Sequence, residues 1–521
     1  MNSHSPVWNL MTGTATKYAL LAVNLGLGIV LMPFTVRHLG TSDYGLWMLV
    51  VSLTSYFQLL DLGYGSGLVR HVADADARGD IPRINRLLST FAAVYAALGL
   101  IAAAGIAALI VLVVPRFPHL SAGQIRTGQL VLAMLGIRVA IGFPMTVFGA
   151  ATTARQRFAL NNTVAIAVAL VNGAVTYVVL SSGFGLLTLV GSTAAVGLAS
   201  YGAYVWTARR AFPELQLRLS SFDRALVYDV TAFSAYLFII DVAVQIGFNL
   251  DNVVIGAALG TSAVAVYAVV LRLADYQRQL ACQFNGLLFP IAVRLDAGRQ
   301  AAALESMLVE GTRIALVLIT GVTVCAIGFA RPLLGIWMGP SFETGVVPFY
   351  ILAVTGIVLV GQGPLGNILL GTGQHRLVAF VSIGEALANL ALSVILVGRF
   401  GMLGVAVGTA VPVVAANLFI MLPAACRQFD MTSMAFLRRI VGAPAAGVLP
   451  AVAACIALRS AFPPASVGII IAEGALVGAV YLLSVVTVGL DRRIRTRYLE
   501  YARWVLTPRR PGSANPVPGV S

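Results

Sequence analysis

Apolar runs of about twenty residues recur from one end of this chain to the other, separated by short polar connectors. Each run is long enough to cross a hydrocarbon layer of roughly 30 Å as a helix. The pattern predicts about fourteen spans, at approximately 12–36, 44–70, 88–114, 125–150, 158–181, 185–208, 226–255, 262–290, 305–330, 346–371, 376–398, 402–425, 437–459 and 466–490. The fold class it implies is an all-α polytopic membrane protein.

Polar residues inside the spans are informative because a charge in lipid costs several kcal/mol and normally faces a bundle interior or a wet cavity. In span 2, Trp47, Thr54, Gln58, Asp61 and Gly65 share one helical face. In span 7 the face is Asp241, Gln245, Asn249 and Asn252, and in span 8 it is Arg272, Asp275, Tyr276, Gln279 and Gln283. Each stripe also has a plainer reading. Arg272 and Asp275 have the spacing of a helical ion pair, Asp241 has neighbouring helix polar groups to bond, and the amides suit interhelical hydrogen bonding. Gly63, Gly65 and Gly67 follow no strand, which argues against a nucleotide loop; Gly63 and Gly67 are expected to form a small-residue packing face. The segment "GQGPLGN" (361–367) suggests a broken helix. Between Arg70 and Arg86, arginines alternate with Asp74, Asp76 and Asp80, either as a solvated amphipathic connector or as an ion-paired gate.

Composition and charge fix the setting. Of 521 residues, 59% are hydrophobic and 10% charged, against about 25% charged in average soluble domains. With the N-terminus placed in the cytoplasm, 24 of the 34 Lys and Arg fall on the cytoplasmic side and six on the outer side. The positive-inside rule therefore puts both termini in the cytoplasm. The net charge of +14 is then explained by topology and anionic headgroups, and no nucleic-acid partner is implied. The four cysteines form no CxxC pair and the five histidines show no ligand spacing, so no metal site is indicated. No cleaved signal peptide is expected. The basic tail 491–521 reads as disordered and cytoplasmic. The longest predicted outer loop, 331–344, is too short for the arginine- and acid-bearing loop of a multi-span polysaccharide polymerase or ligase, and no paired acids mark a glycosyltransferase.

"LGTSDYGLWMLVVSLTSYFQLL" (39–60) aligns with "LGTSAVAVYAVVLRLADYQRQL" (259–280), and "NGAVTYVVLSSGFGLLTLVGST" (172–193) with "NLALSVILVGRFGMLGVAVGTA" (389–410). The two offsets nearly coincide and separate the copies by six spans. Parallel repeats related by a pseudo-twofold along the membrane normal follow, with substrate expected between the bundles near the midplane. The expected organisation is a six-helix lobe at 1–210, a cytoplasmic linker at 211–225, a second six-helix lobe at 226–430, two further helices at 431–490, and the tail.

One stretch carries a family likeness. "GTSDYGLWMLVVSLTSYFQLLDLGYGSGLVRHVADADARGD" (40–80), with its YG, the DLG at Asp61–Gly63, Arg70 and the RGD at Arg78–Asp80, resembles the second-helix signature of bacterial polysaccharide and O-antigen flippases. These are lipid-linked oligosaccharide translocases of the multidrug/oligosaccharidyl-lipid/polysaccharide exporter superfamily. The resemblance implies a non-enzymatic transporter of the inner membrane. It would move an undecaprenyl-pyrophosphate-linked repeat unit to the periplasmic leaflet for lipopolysaccharide or exopolysaccharide synthesis, through a cation-lined cavity, with H+ or Na+ as coupling ion and no other cofactor. Membrane lipids and the polymerase and chain-length components of the pathway are the implied partners. Arginine suits a pyrophosphate because it is always charged and bidentate. Arg272, Arg278 and Arg138 are therefore the candidate substrate contacts, with Gln245, Asn249 and Gln279 beside them. Asp61, Asp241 and Asp275 are the ion-coupling candidates, and Arg70, Arg78 and Asp80 the cytoplasmic lip. A multidrug cation antiporter and a lipid II flippase of the same superfamily are the alternatives.

Overall fold

The computed structural model describes residues 6–282, 285–490 and 495–496, and every regular element among them is helical. In chain order the helices are α1 (Pro6–Ser55), α2 (Tyr64–Ala77), α3 (Ile81–Ala108), α4 (Ala122–Ala154), α5 (Phe158–Ser181), α6 (Leu186–Ala211), α7 (Arg224–Leu259) and α8 (Thr261–Ala281). There follow α9 (Asn285–Ala297), α10 (Ala301–Trp337), α11 (Val346–Gly371), α12 (His375–Ala416), α13 (Leu422–Arg427), α14 (Ser433–Ala461) and α15 (Val467–Ser484). Among the described residues ten helical stretches are long and apolar enough to cross a membrane, two of them 67 and 53 residues long. Those two are double-length because α1 and α12 each run through a glycine with non-helical backbone, Gly40 and Gly401. This is a multi-pass membrane protein. Most of the predicted tail, 491–494 and 497–521, lies outside the described residues.

Local chemistry sets the helix starts. Asp80 accepts from the Arg83 amide at 2.9 Å, with proline in the first turn of α3. Ser121 and Gln124 form a reciprocal capping box on α4, and Asp223 caps α7 through the Ala225 amide at 2.9 Å. The repeated LGTS motif marks the same backbone twice: Gly40 has φ 78° and ψ 165°, and Gly260 φ 83° and ψ 177°. That left-handed turn needs glycine, which accounts for an identical glycine in both copies.

Two sequence expectations are corrected. Span 2 does not continue as one helix to residue 70. It tightens into a 3-10 turn at Tyr56–Asp61 and reverses at Leu62 (φ 52°) and Gly63 (φ 74°) before α2 starts. Gly63 is a break, not half of a packing stripe. Conversely, α11 runs through Pro364 as one helix. Its Gly361 and Gly363 serve close approach, since added Cβ atoms would lie 2.8 Å from Leu316 Cδ2 and 2.2 Å from Asn285 Nδ2.

The chain divides into two compact units, residues 1–271 with 375–412 and residues 272–374 with 413–521. The division differs from the lobe boundaries read from the repeats. Its physical basis in the first unit is polar bonding of α7 to its neighbours. Gln245 donates to the Ser55 carbonyl at 2.7 Å, Asn252 to Ser52 Oγ at 3.0 Å, and Thr409 of α12 to Asp251 at 3.0 Å. The first unit packs around Leu68, Val72, Phe91, Tyr95, Val147 and Phe212. The second includes a cluster around Phe329, Cys455, Val477 and Tyr481.

Candidate functional site

The helix break organises a cavity of about 690 Å³ inside the first unit. Its wall is built by the end of α1 (Thr54, Ser55), the 3-10 turn (Gln58, Asp61), α4 (Arg138, Phe143, Thr146), α6 (Tyr201) and α7 (Phe238, Gln245). Asp61 closes the 3-10 turn, and each of its carboxylate oxygens accepts one hydrogen bond. Its Oδ1 accepts from the hydroxyl of Tyr95 at 2.5 Å and its Oδ2 from the Gly65 amide at 3.3 Å. The carboxylate thus satisfies an amide at the start of α2, where a helix N-terminus favours negative charge. Gly65 is needed beside it, because a Cβ there would lie 3.4 Å from Oδ2.

Across the cavity Arg138 forms no ion pair among the described residues. Its side chain lies over the backbone of α6, where a Cβ on Gly197 would stand 2.4 Å from Nε and 2.8 Å from Cζ. One turn further along α6, Tyr201 donates to the Arg138 carbonyl at 3.0 Å. A glycine and a tyrosine of α6 therefore fix both the side chain and the backbone of the arginine. Neither Tyr95 nor this pair belongs to a predicted stripe, because tertiary neighbours on other helices leave no mark in one helix's periodicity.

The α7 stripe is interhelical. Gln245 reaches the carbonyl of Ser55, one of the acceptors left open where α1 ends, and also lines the cavity. Asn249 donates to Gln245 Oε1 at 3.0 Å. The side chain of Asp241 lies outside the described residues.

The span 8 candidates belong to the second unit and bind one another. Asp275 accepts from Arg278 at 2.6 Å and from Gln279 at 2.7 Å, with Arg272 at 3.8 Å. Arg272, about half exposed, also stands 6.0 Å from the Tyr276 ring. These four therefore form one cluster in which a single carboxylate serves two arginines, leaving a net positive charge. At the predicted lip, Arg78 pairs with Asp74 at 2.9 Å on an exposed surface, Asp80 is the cap of α3, and Arg70 is exposed on α2.

A second polar cluster of the first unit is absent from the predicted stripes. Asp251 on α7 is 1% exposed. Its Oδ2 accepts from Tyr267 at 2.8 Å and from Thr409 at 3.0 Å, while its Oδ1 is buried with no hydrogen-bond partner among the described residues. Asn389 Oδ1 lies 3.4 Å from the same Thr409 hydroxyl and accepts from Ser393 at 2.9 Å. The Tyr56 hydroxyl, at the start of the 3-10 turn, is also buried and unpartnered among the described residues. No ion pair to Asp251 occurs among the described residues. A carboxylate, an amide oxygen and hydroxyls make a hard oxygen donor set that suits a proton or a small cation. The signal in sequence was Asp251 itself, one position before Asn252 of the stripe; Asn389 and Thr409 gave none.

Comparison with known proteins now bears on this geometry. The family model described as Polysaccharide biosynthesis protein matches residues 13–296. The membrane protein EpsK of Bacillus subtilis (strain 168) is 24% identical over 433 residues, covering 81% of this chain and 84% of EpsK. An inward-facing multidrug resistance MATE family transporter of the MOP superfamily superposes with a TM-score of 0.68 at 14% identity, over 79% of this chain and 98% of its own. The lipid II flippase MurJ, in an inward closed conformation, also gives a TM-score of 0.68, at 11% identity over 89% of this chain and 98% of its own. At these identities the two structures speak to the fold.

Proposed function

Because this chain belongs to the polysaccharide biosynthesis protein family, we propose that it flips a polyprenyl-pyrophosphate-linked oligosaccharide repeat unit from the cytoplasmic to the periplasmic leaflet of the inner membrane, by ion-coupled alternating access. The observation that carries this reading is the cavity of about 690 Å³ with Arg138 in its wall and, among the described residues, no acid paired to it. Small-molecule sites span roughly 300–1,000 Å³, so the space suits a short glycan with its phosphates and not a finished polymer. Arg138, braced by Gly197 and Tyr201, presents a fixed cation to the phosphates. Phe143, Tyr201 and Phe238 offer rings on which sugar faces stack, and Gln58, Thr54 and Gln245 supply hydrogen-bonding groups. Asp61 is occupied by Tyr95 and the α2 amide, so its part is to hold the wall in shape.

The same reading assigns ion coupling to the Asp251 cluster in place of Asp61 and Asp275. The orphaned Asp251 Oδ1 is the feature that fits, and Asp251, Asn389 and Thr409 would hold the ion. When bound, a proton or Na+ there supplies the positive charge that this buried carboxylate lacks.

The lining rings also favour a second reading, extrusion of an aromatic cation, against which the charge of Arg138 in the cavity wall argues by like-charge repulsion. One experiment separates them. Full-length protein in proteoliposomes is supplied with a fluorescent polyprenyl-diphosphate oligosaccharide on one leaflet, and in parallel with an aromatic cationic dye. The expected result is translocation of the lipid-linked glycan, slowed about ten- to a hundredfold by Arg138→Ala through loss of roughly 1.5–3 kcal/mol of charge-assisted bonding, with Arg138→Lys between. Glycan movement equal to protein-free vesicles, or dye transport alone, overturns the proposal.

A further inference from the structure

The helix that follows Asp61 is fastened at both ends. At its start, Leu62 and Gly63 take left-handed backbone, Asp61 binds the Gly65 amide, and the Tyr64 hydroxyl lies 3.1 Å from Thr231 Oγ1 on α7. A leucine at φ 52° sits in a sparsely populated region of backbone space, which persists only where surroundings impose it. The 14-residue α2 is therefore joined to α1 through a strained pivot rather than through continuous helix.

At its other end, Asp76 Oδ1 accepts from Arg155 Nε at 3.0 Å, with the two side chains 28% and 23% exposed. Arg155 is the residue after α4. It also donates through Nη1 to the Ala211 carbonyl, and its guanidinium lies 3.5 Å from the centroid of the Phe212 ring. Phe212 is 1% exposed and opens the connection between α6 and α7. That connection is strapped to α3. Asn85 donates to the Glu214 carbonyl and accepts from the Gln216 amide, both at 3.0 Å. Ser89 accepts from the Arg218 amide at 3.0 Å, and Thr90 from the Asp223 amide at 3.0 Å. One arginine thus ties together the end of α2, the end of α4 and a connector that is itself immobilised on α3.

We propose that Asp76 and Arg155 are positioning residues of the translocation cycle: their ion pair latches the charged end of α2, and its release lets α2 turn about Leu62–Gly63, opening the cavity wall that Asp61 closes. The inference rests on the cavity being the transport site, and it concerns access to that cavity, whatever the cargo. The pair is suited to a latch because it is partly exposed, so water compensates its opening in a way it would not for a fully buried pair. Phe212 remains as an apolar seat when the charge pair parts, which allows the latch to close again in register.

The test uses the full-length protein in proteoliposomes, with Cys282, Cys325, Cys426 and Cys455 replaced and a reporter Thr146→Cys in the cavity wall. The rate of its modification by a membrane-impermeant maleimide is measured without substrate. Arg155→Ala is expected to raise that rate about fivefold or more, the population shift that corresponds to roughly 1 kcal/mol of latch energy. The exchanged pair Asp76→Arg with Arg155→Asp is expected to return the rate to within about twofold of the parent, the residual reflecting the lost Phe212 stack. Asp76→Asn, which leaves the Arg155 contacts to Ala211 and Phe212 in place, is the second variant should Arg155→Ala fold poorly. An unchanged rate in a folded Asp76→Asn or Arg155→Ala protein, or no return in the exchanged pair, overturns the latch. Because no glycan is present, these outcomes are independent of whether a glycan is the cargo.

Discussion

Replacing Tyr95 with phenylalanine removes one hydroxyl and leaves its ring in place, between Phe91 and Phe143 with centroids 6.4 and 6.3 Å away. What is lost is the 2.5 Å bond to Asp61 Oδ1. A hydrogen bond to a charged group contributes about 1.5–3 kcal/mol. The lower half of that range applies here because Asp61 faces a cavity that water can enter and keeps its bond to the Gly65 amide. The expected cost of Tyr95→Phe is therefore about 1.5–2 kcal/mol. Asp61→Leu removes the acceptor and the cap together and is expected to cost more, by about the 1 kcal/mol typical of a lost N-cap. The double variant is expected to cost less than the sum by about 1.5 kcal/mol, because the bond can be broken only once. Reversible unfolding of the four proteins in mixed micelles of a mild and a denaturing detergent measures the cycle. A coupling below about 0.5 kcal/mol, within the additivity of independent sites, refutes the view that Tyr95 and Asp61 act as one unit holding the helix break.

Two further predictions follow from close contacts. Gly45→Ala places a Cβ 1.8 Å from the Thr261 carbonyl oxygen, a backbone atom that cannot swing aside; a loss of about 2–3 kcal/mol, the upper range for overpacking, is expected, and a normal melting temperature in detergent would contradict that approach of α1 to α8. Asp251→Asn removes the cluster's only carboxylate, so any stabilisation of the parent by Na+ or by acid in a thermal-shift titration is expected to disappear; an unchanged ion response would place the ion elsewhere.

The membrane class and many of the spans were legible in the sequence because a twenty-residue apolar run has no other economical structure. Helical spacing and the likeness of residues 40–80 also singled out the stretch around Asp61, which lines the cavity. The manner in which Asp61 acts was hidden. Spacing arithmetic assumes an unbroken α-helix, and the chain changes pitch at Tyr56 and reverses at Leu62 and Gly63, where the leucine gives no warning. The Asp275 cluster illustrates the opposite case. Its partners lie three and four residues away on one helix, so local spacing found them, but could not say whether they faced a ligand or one another. Asp251, Asn389 and Thr409 meet across α7 and α12, separated by well over a hundred residues, and no single-helix pattern can register such a meeting. The glycines mislead in both directions: Gly63 is a turn that resembled packing, and Gly361 and Gly363 are packing that resembled a turn.

The strap from Phe212 to Asp223 has a consequence for how the protein is made. Its hydrogen-bonding partners Asn85, Ser89 and Thr90 all lie on α3, a helix that leaves the ribosome long before the strap does. The emerging connector therefore meets a finished template, and Asp223, held there, sets the place where α7 begins its first turn. The entry point of α7 is fixed by α3, so synthesis order and bonding order agree.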